Sequence, residues 1–212
     1  MAAKLKFCLL SSLEKVFPDE APAGKAYTAA SALRGEVFSF QLALYAEERF
    51  KDAQVAVESP LARCIRLRSV GLAPCELPYL SWDDGMLRRT PGLYPDPLYD
   101  LGPEGLTLFP HQWRSLWVSV HLPKAVKAGN YDIALTVSAG KEAPVRVRFK
   151  LRVLDLVLPH QALIQTQWFH ADCIAAQYRV PVLSDPWWEL VGRYMRNAAE
   201  HGINMILTPL FT

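Results

Sequence analysis

The hydrophobic period of this chain changes once, at Leu158-Pro159-His160, and that change limits what the polypeptide can fold into. Before it, apolar and polar residues alternate, as in a half-buried β-strand. After it, apolar residues recur at helical spacing. Phe38, Phe40, Leu42 and Leu44 alternate with Val37, Ser39, Gln41, Ala43 and Tyr45. Val55 and Val57 mark a short strand stopped by Ser59-Pro60, and Leu116, Val118 and Val120 mark another. Trp117–Leu122 and Tyr131–Val137 flank a turn at Lys127-Ala128-Gly129-Asn130, so a hairpin is expected there. Val145, Val147, Phe149, Leu151 and Val153 then alternate with Arg146, Arg148, Lys150 and Arg152, predicting a strand with one basic face. That face is expected at a sheet edge, where Lys and Arg guard against aggregation, with anionic-glycan binding as the second reading. Many strands joined by short turns predict an all-β sandwich over residues 1–157.

The stretch from Pro74 to Pro110 breaks the pattern, being rich in Pro, Gly, Asp, Tyr and Trp. It is expected to be a long irregular connection, either packed between sheets or contributing to a ligand cleft. Its aromatic residues at 79, 82, 94, 99 and 109 can bury enough area to order it.

Beyond residue 157 the signals are those of a parallel crossover. Ala162–Trp168 is expected as a strand. Asp185 is expected to cap a helix with Pro186 at its first position, and Trp187, Leu190, Val191, Tyr194, Met195 and Ala198 form its apolar face. Gly202 suits the helix stop, and Ile203–Leu207 is the next strand. One strand–helix–strand unit leaves open sheet edges and uncovered apolar surface. Residues 158–212 are therefore expected to begin a larger α/β domain. A complete barrel needs roughly 250 residues, more than the 212 present. Leu210-Phe211-Thr212 carries no stop signal, so a longer polypeptide is expected.

Composition excludes several classes. With 23 basic and 21 acidic residues the net charge is +2, giving no support for nucleic-acid binding. No apolar run approaches the ~18 residues of a membrane span. The Phe7-Cys8-Leu9-Leu10 segment is too short for a secretion signal. Cys8, Cys64, Cys75 and Cys173 show neither zinc nor disulfide spacing, so a cytoplasmic protein with free thiols is expected, without cofactor.

Two segments carry a family resemblance: Trp168-Phe169-His170-Ala171-Asp172-Cys173, and His201-Gly202-Ile203-Asn204-Met205-Ile206-Leu207-Thr208-Pro209. In them the chain resembles glycoside hydrolase family 123 and its uncharacterised bacterial relatives. Glu14-Lys15-Val16-Phe17, Tyr94-Pro95-Asp96-Pro97-Leu98 and Gly129-Asn130-Tyr131 are similar to that family's N-terminal sandwich. The resemblance implies a β-N-acetylgalactosaminidase-like enzyme with a (β/α)8 catalytic domain and a substrate-assisted retaining mechanism. The substrate's 2-acetamido oxygen attacks the anomeric carbon, while an adjacent Asp-Glu pair orients the acetamide and supplies the acid/base. That pair is expected beyond Thr212, which leaves the 212-residue chain inactive alone and its catalytic residues unassigned. Asp19-Glu20 lies in a proline-flanked turn and does not match the pair's position; Asp83-Asp84 before Gly85 is also expected as a turn.

Candidate substrate-binding residues follow from barrel geometry, in which ligands lie at the carboxyl ends of strands. Trp168, His170 and Asp172 follow the first strand and Thr208 follows the second. Trp168 either stacks on a sugar or packs the barrel. His170 and Asp172 either bind hydroxyls or tie down the strand end. Tyr94, Asp96 and Tyr99 are the sandwich residues expected to reach a neighbouring cleft, whereas His111 and Trp113 are expected only to pack. A metal reading of His170, Asp172, Cys173 and His201 fails on geometry, since His201 ends a helix at the opposite end of the strands. The expected partner is a carbohydrate, an N-acetylhexosaminide. The alternative is a non-catalytic carbohydrate-binding or scaffold sandwich attached to a barrel of different activity.

Overall fold

The computed structural model describes residues 5–76, 86–160 and 162–209. The chain divides into two compact units, Met1–Leu158 and Pro159–Thr212.

The first unit contains β1 (Leu5–Ser11), β2 (Ala29–Arg34), β3 (Val37–Ala46), β4 (Phe50–Glu58), β5 (Ile65–Cys75), β6 (Gly92–Asp100), β7 (Leu106–Leu108), β8 (Gln112–His121), β9 (Gly129–Ser138) and β10 (Val145–Val157). They form two five-stranded sheets, ordered β1-β3-β8-β5-β6 and β2-β10-β9-β4-β7. The first is antiparallel throughout. In the second, β2 joins β10 in parallel while the remaining pairs are antiparallel. Alternation decides which side chains enter the core: Phe38, Phe40, Leu42 and Leu44 from β3, Leu116, Val118 and Val120 from β8, and Val147, Phe149, Leu151 and Val153 from β10. The Phe40 and Phe149 rings stack with centroids 4.1 Å apart, joining the two sheets. Each such side chain contributes about 1.5–3 kcal/mol through burial. The sandwich expected from the alternation is therefore the architecture of this unit.

Three details differ from the sequence expectation. The hairpin across Lys127–Asn130 does not form, because β8 and β9 lie in different sheets and the turn carries the chain from one layer to the other. The hairpin is instead β9–β10, in antiparallel register with Val137 opposite Val145. Turn chemistry marks where a chain reverses, not which sheet receives it. The basic strand β10 is not an edge, since β2 and β9 flank it. Its charges are interleaved with acids: Arg146 donates to Glu58 at 2.6 Å, and Lys150 lies opposite Asp132. The 74–110 stretch is not wholly irregular, since it holds the end of β5 and all of β6 and β7. Pro95 and Pro97 disguised β6. They are tolerated because β6 is an edge strand, and its pairing shifts register between Val70 and Leu72. Tyr79, Trp82 and the turn expected at Asp83-Asp84 lie outside the described residues.

The second unit contains β11 (Thr166–Trp168), α1 (Ala171–Tyr178), α2 (Asp185–Glu200) and β12 (Met205–Leu207). β11 and β12 pair in parallel, with Thr166 opposite Met205 and Trp168 opposite Leu207. Asn204 fixes this register, its Oδ1 accepting from the Gln165 amide and its Nδ2 donating to the Leu163 carbonyl. Helix α1 was not foreseen. The N-cap of α2 is Ser184, one residue before the Asp185 expected there. The Ser184 hydroxyl donates to the Pro181 carbonyl at 2.7 Å rather than accepting from the helix. Trp187 is the buried anchor, and its indole N–H donates to the Ala171 carbonyl at 2.8 Å, tying α2 to the first turn of α1. None of the described helices is long and apolar enough to cross a membrane.

Candidate functional site

Parallel pairing puts the carboxyl ends of β11 and β12 side by side, and four of the seven sequence-derived candidates gather there. The Phe169 amide continues the ladder by donating to the Leu207 carbonyl at 2.9 Å. Trp168 ends β11, His170 is the N-cap of α1, Asp172 lies in that helix's first turn, and Thr208 follows β12. Carboxyl strand ends leave backbone and side chains unused by the sheet, which is why α/β proteins bind ligands there.

Trp168 is 71% exposed. Its ring lies nearly parallel to that of His170, at 18° with centroids 6.4 Å apart. The two form a wide aromatic surface. His170 Nδ1 and Asp172 Oδ1 are 3.9 Å apart, too far for a hydrogen bond. Asp172 Oδ1 is buried with no hydrogen-bond partner among the described residues. A buried carboxylate oxygen without a donor is costly, so a hydroxyl or amide offered between these groups would be held well. The amino end of α1 adds a favourable field for the Asp172 charge. Thr208 is exposed, with its hydroxyl 3.5 Å from the Pro209 carbonyl. Behind this surface, Phe169 packs on Tyr194 at 6.1 Å, and the Tyr178 and Tyr194 hydroxyls are 3.3 Å apart. That contact raises the Tyr194 hydroxyl above its ordinary pKa.

The other three candidates, Tyr94, Asp96 and Tyr99, belong to β6 in the first unit. The Tyr94 hydroxyl donates to the Thr90 carbonyl at 2.7 Å, and its ring meets Phe17 edge-on at 5.5 Å. Its polar end is thus occupied by backbone. The Asp96 carboxylate is exposed and lines a hollow of about 440 Å³ with Lys15, Phe17 and Arg88. His111 and Trp113 pack around Tyr45, with centroids 6.5 and 5.4 Å from it.

Asp19-Glu20 is more than the solvated turn expected. Arg88 grips Asp19 through two hydrogen bonds, at 2.8 and 3.1 Å, and approaches Glu20 at 3.1 Å. The guanidinium holds the Asp19 carboxyl below its ordinary range, so it stays ionised and donates no proton near neutrality. The same guanidinium lies 3.9 Å from the Phe17 ring centroid. Sequence reading missed Arg88 because nothing in its local pattern points 69 residues back to Asp19. Among the described residues, no three His, Cys, Asp or Glu side chains converge as a metal set. His201 instead turns its Nδ1 to the Asn197 carbonyl, at 2.7 Å.

Residues 168–212 match the family model described as Glycoside hydrolase 123, catalytic domain. Comparison with curated protein sequences finds no match. Among solved structures, the chain is similar to a family 123 glycoside hydrolase from Clostridium perfringens, studied for the details of glycolipid glycan hydrolysis. The TM-score is 0.77 at 14% identity, covering 96% of this chain and 37% of that one. Weaker likenesses are the GspB Siglec domain (TM-score 0.34, 10% identity, covering 74% and 66%) and a PapD-like domain of human CEP192 (0.33, 12%, 74% and 88%). Both lie too low to support an argument. This chain spans little more than a third of the Clostridium perfringens structure. The resemblance read from the two motifs therefore holds: residues 168–212 match the catalytic domain of glycoside hydrolase family 123, and nearly the whole chain shares the fold of a family 123 structure.

Proposed function

We propose that this chain is the N-terminal part of a glycoside hydrolase acting on N-acetylhexosaminides, and that residues 158–212 are the first β-α-β unit of its (β/α)8 barrel. The observation that carries the reading is the match of residues 168–212 to the family 123 catalytic domain, which begins at the strand end where Trp168, His170 and Asp172 lie. Leu163, Ile164, Met205 and Leu207 are exposed along or beside the short parallel pair, as expected of strands that further crossovers would cover.

On this reading Trp168 presents a face to the sugar ring, while His170, Asp172 and Thr208 bind its hydroxyl or acetamido groups. The 2-acetamido oxygen attacks the anomeric carbon and an Asp-Glu pair beyond Thr212 orients it and moves the proton. This segment binds and orients; it supplies no acid. Aryl N-acetyl-β-galactosaminide and -glucosaminide assayed with the product of the full reading frame test the proposal. Hydrolysis is expected, with Trp168→Ala raising KM about tenfold, the worth of a stacked aromatic lost. A folded full-length protein that releases no aglycone from either substrate would overturn it. It would leave the sandwich as a binding or scaffold module beside a barrel of other activity.

A further inference from the structure

Arg114 occupies an unusual place. The register of β8 against β3 sets it opposite Leu44, on the face of the sheet that otherwise feeds the core. Its guanidinium lies 4.9 Å from the Phe109 ring centroid, and that of Arg49 lies 5.6 Å from the same ring. Neither arginine has a carboxylate or hydrogen-bond partner among the described residues, whereas Arg34, Arg66, Arg88 and Arg146 are each ion-paired. Arg114 is half-buried, and burial pushes its guanidinium below its ordinary pKa with no anion opposing the shift. Charges taken from water are normally compensated. Here the half-buried Arg114 shares an aromatic ring with the exposed Arg49, and no anion among the described residues compensates Arg114.

The same arginine lines a groove of about 540 Å³ at the open side of the sandwich, between the edge strands β6 and β7. Tyr99 stands in its wall, 59% exposed. Gly71 makes that placement possible, since a Cβ there would come within 2.4 Å of the Tyr99 ring. Glu104 also lines the groove, exposed and paired with neither arginine. It disfavours densely charged anions and offers an acceptor for hydroxyls.

We propose that this groove binds an acidic sugar, its carboxylate held by Arg114 and its ring laid against Tyr99. Guanidinium groups match a planar carboxylate in two hydrogen bonds, and an exposed tyrosine suits the apolar face of a pyranose. The basic face of β10 is a weaker candidate, because Glu58 and Asp132 already offset it. The groove lies wholly within Met1–Leu158 and does not depend on the hydrolase reading.

Isothermal titration of the 212-residue chain with sodium glucuronate, glucose and sodium sulfate at matched ionic strength tests the proposal. Glucuronate is expected to bind and glucose to bind at least tenfold more weakly. Arg114→Met should lower glucuronate affinity tenfold or more, the worth of a charge-assisted hydrogen bond. The same variant should melt at an equal or higher temperature without ligand, because an uncompensated charge has left the groove. Tyr99→Ala should weaken glucuronate about fivefold and leave sulfate unchanged. If Arg114→Met does not fold, Arg114→Lys, which keeps the charge without the planar fork, gives the same readout with a smaller loss. Absence of glucuronate binding, or binding unaltered in the folded arginine variants, overturns the site. Sulfate binding as tightly as glucuronate, with Tyr99→Ala without effect, overturns the sugar in favour of an anion hole.

Discussion

The two units differ most in how they use apolar residues. In the sandwich, β3, β8, β9 and β10 each send a row of side chains into a closed core, leaving Phe40, Leu42, Leu116, Ile133 and Phe149 inaccessible. In the second unit, the described apolar residues that reach burial are Ile174, Ala175 and Trp187. Leu163, Ile164, Trp168, Val182, Leu183, Trp188 and Leu207 remain exposed. The same polypeptide thus carries one domain whose stability is internal and one whose apolar surface is still available to a partner. Local hydrogen bonds, such as those of Asn204 and Trp187, hold the second unit in register without giving it a core of comparable depth.

That contrast can be broken by substitution. Phe149→Ala should cost about 3–5 kcal/mol in urea unfolding of the sandwich, while amide exchange in 166–207 stays unchanged. A loss below about 1 kcal/mol would mean that the core is not what holds this unit. Gln41→Leu comes next. Gln41 is 2% exposed, donates to the Ser11 and Glu14 carbonyls and accepts from Ser115. Leucine would strand those groups, and a loss of about 1–3 kcal/mol is expected in the same experiment. Trp187→Phe removes the bond to Ala171 and should cost about 1 kcal/mol. The effect should be confined to the second unit: faster exchange in 171–178, with the sandwich midpoint unmoved. The smallest effect concerns Asp19. Its folded pKa lies below its ordinary 3.8, so its contribution is present at neutral pH and lost as pH falls through the folded value. Wild type and Asp19→Asn should differ by less than about 1 kcal/mol at neutral pH, because the pair is largely exposed, and converge in acid. Unfolding midpoints across a pH series measure this.

Sequence exposed the parts governed by periodicity. β3, β8 and β10 were legible because each has one wholly apolar face, and β11 and β12 because a helix with a clear apolar stripe separates them. β6 was not, since its prolines resemble loop chemistry and only its edge position makes them acceptable. Helix α1 was missed because Ala171–Tyr178 has a short, weakly patterned sequence. Its ends are set by His170 at the N-cap and by left-handed Arg179, with φ 55°. For the candidate site, grouping Trp168, His170 and Thr208 required only that two strands be parallel. The Arg49–Phe109–Arg114 cluster could not be read, because its members come from separate segments and form no motif.

The parallel pairing of β2 with β10 carries a consequence for the order of assembly. Ala30 lies opposite Leu151, so an early strand waits for the last strand of the sandwich before its ladder can form. During synthesis this layer stays incomplete until residues near 157 have left the ribosome, and pairing across so much chain is slow. Nascent chains released shortly before β10 would present one open edge of β9 and uncovered β3, surfaces suited to chaperones.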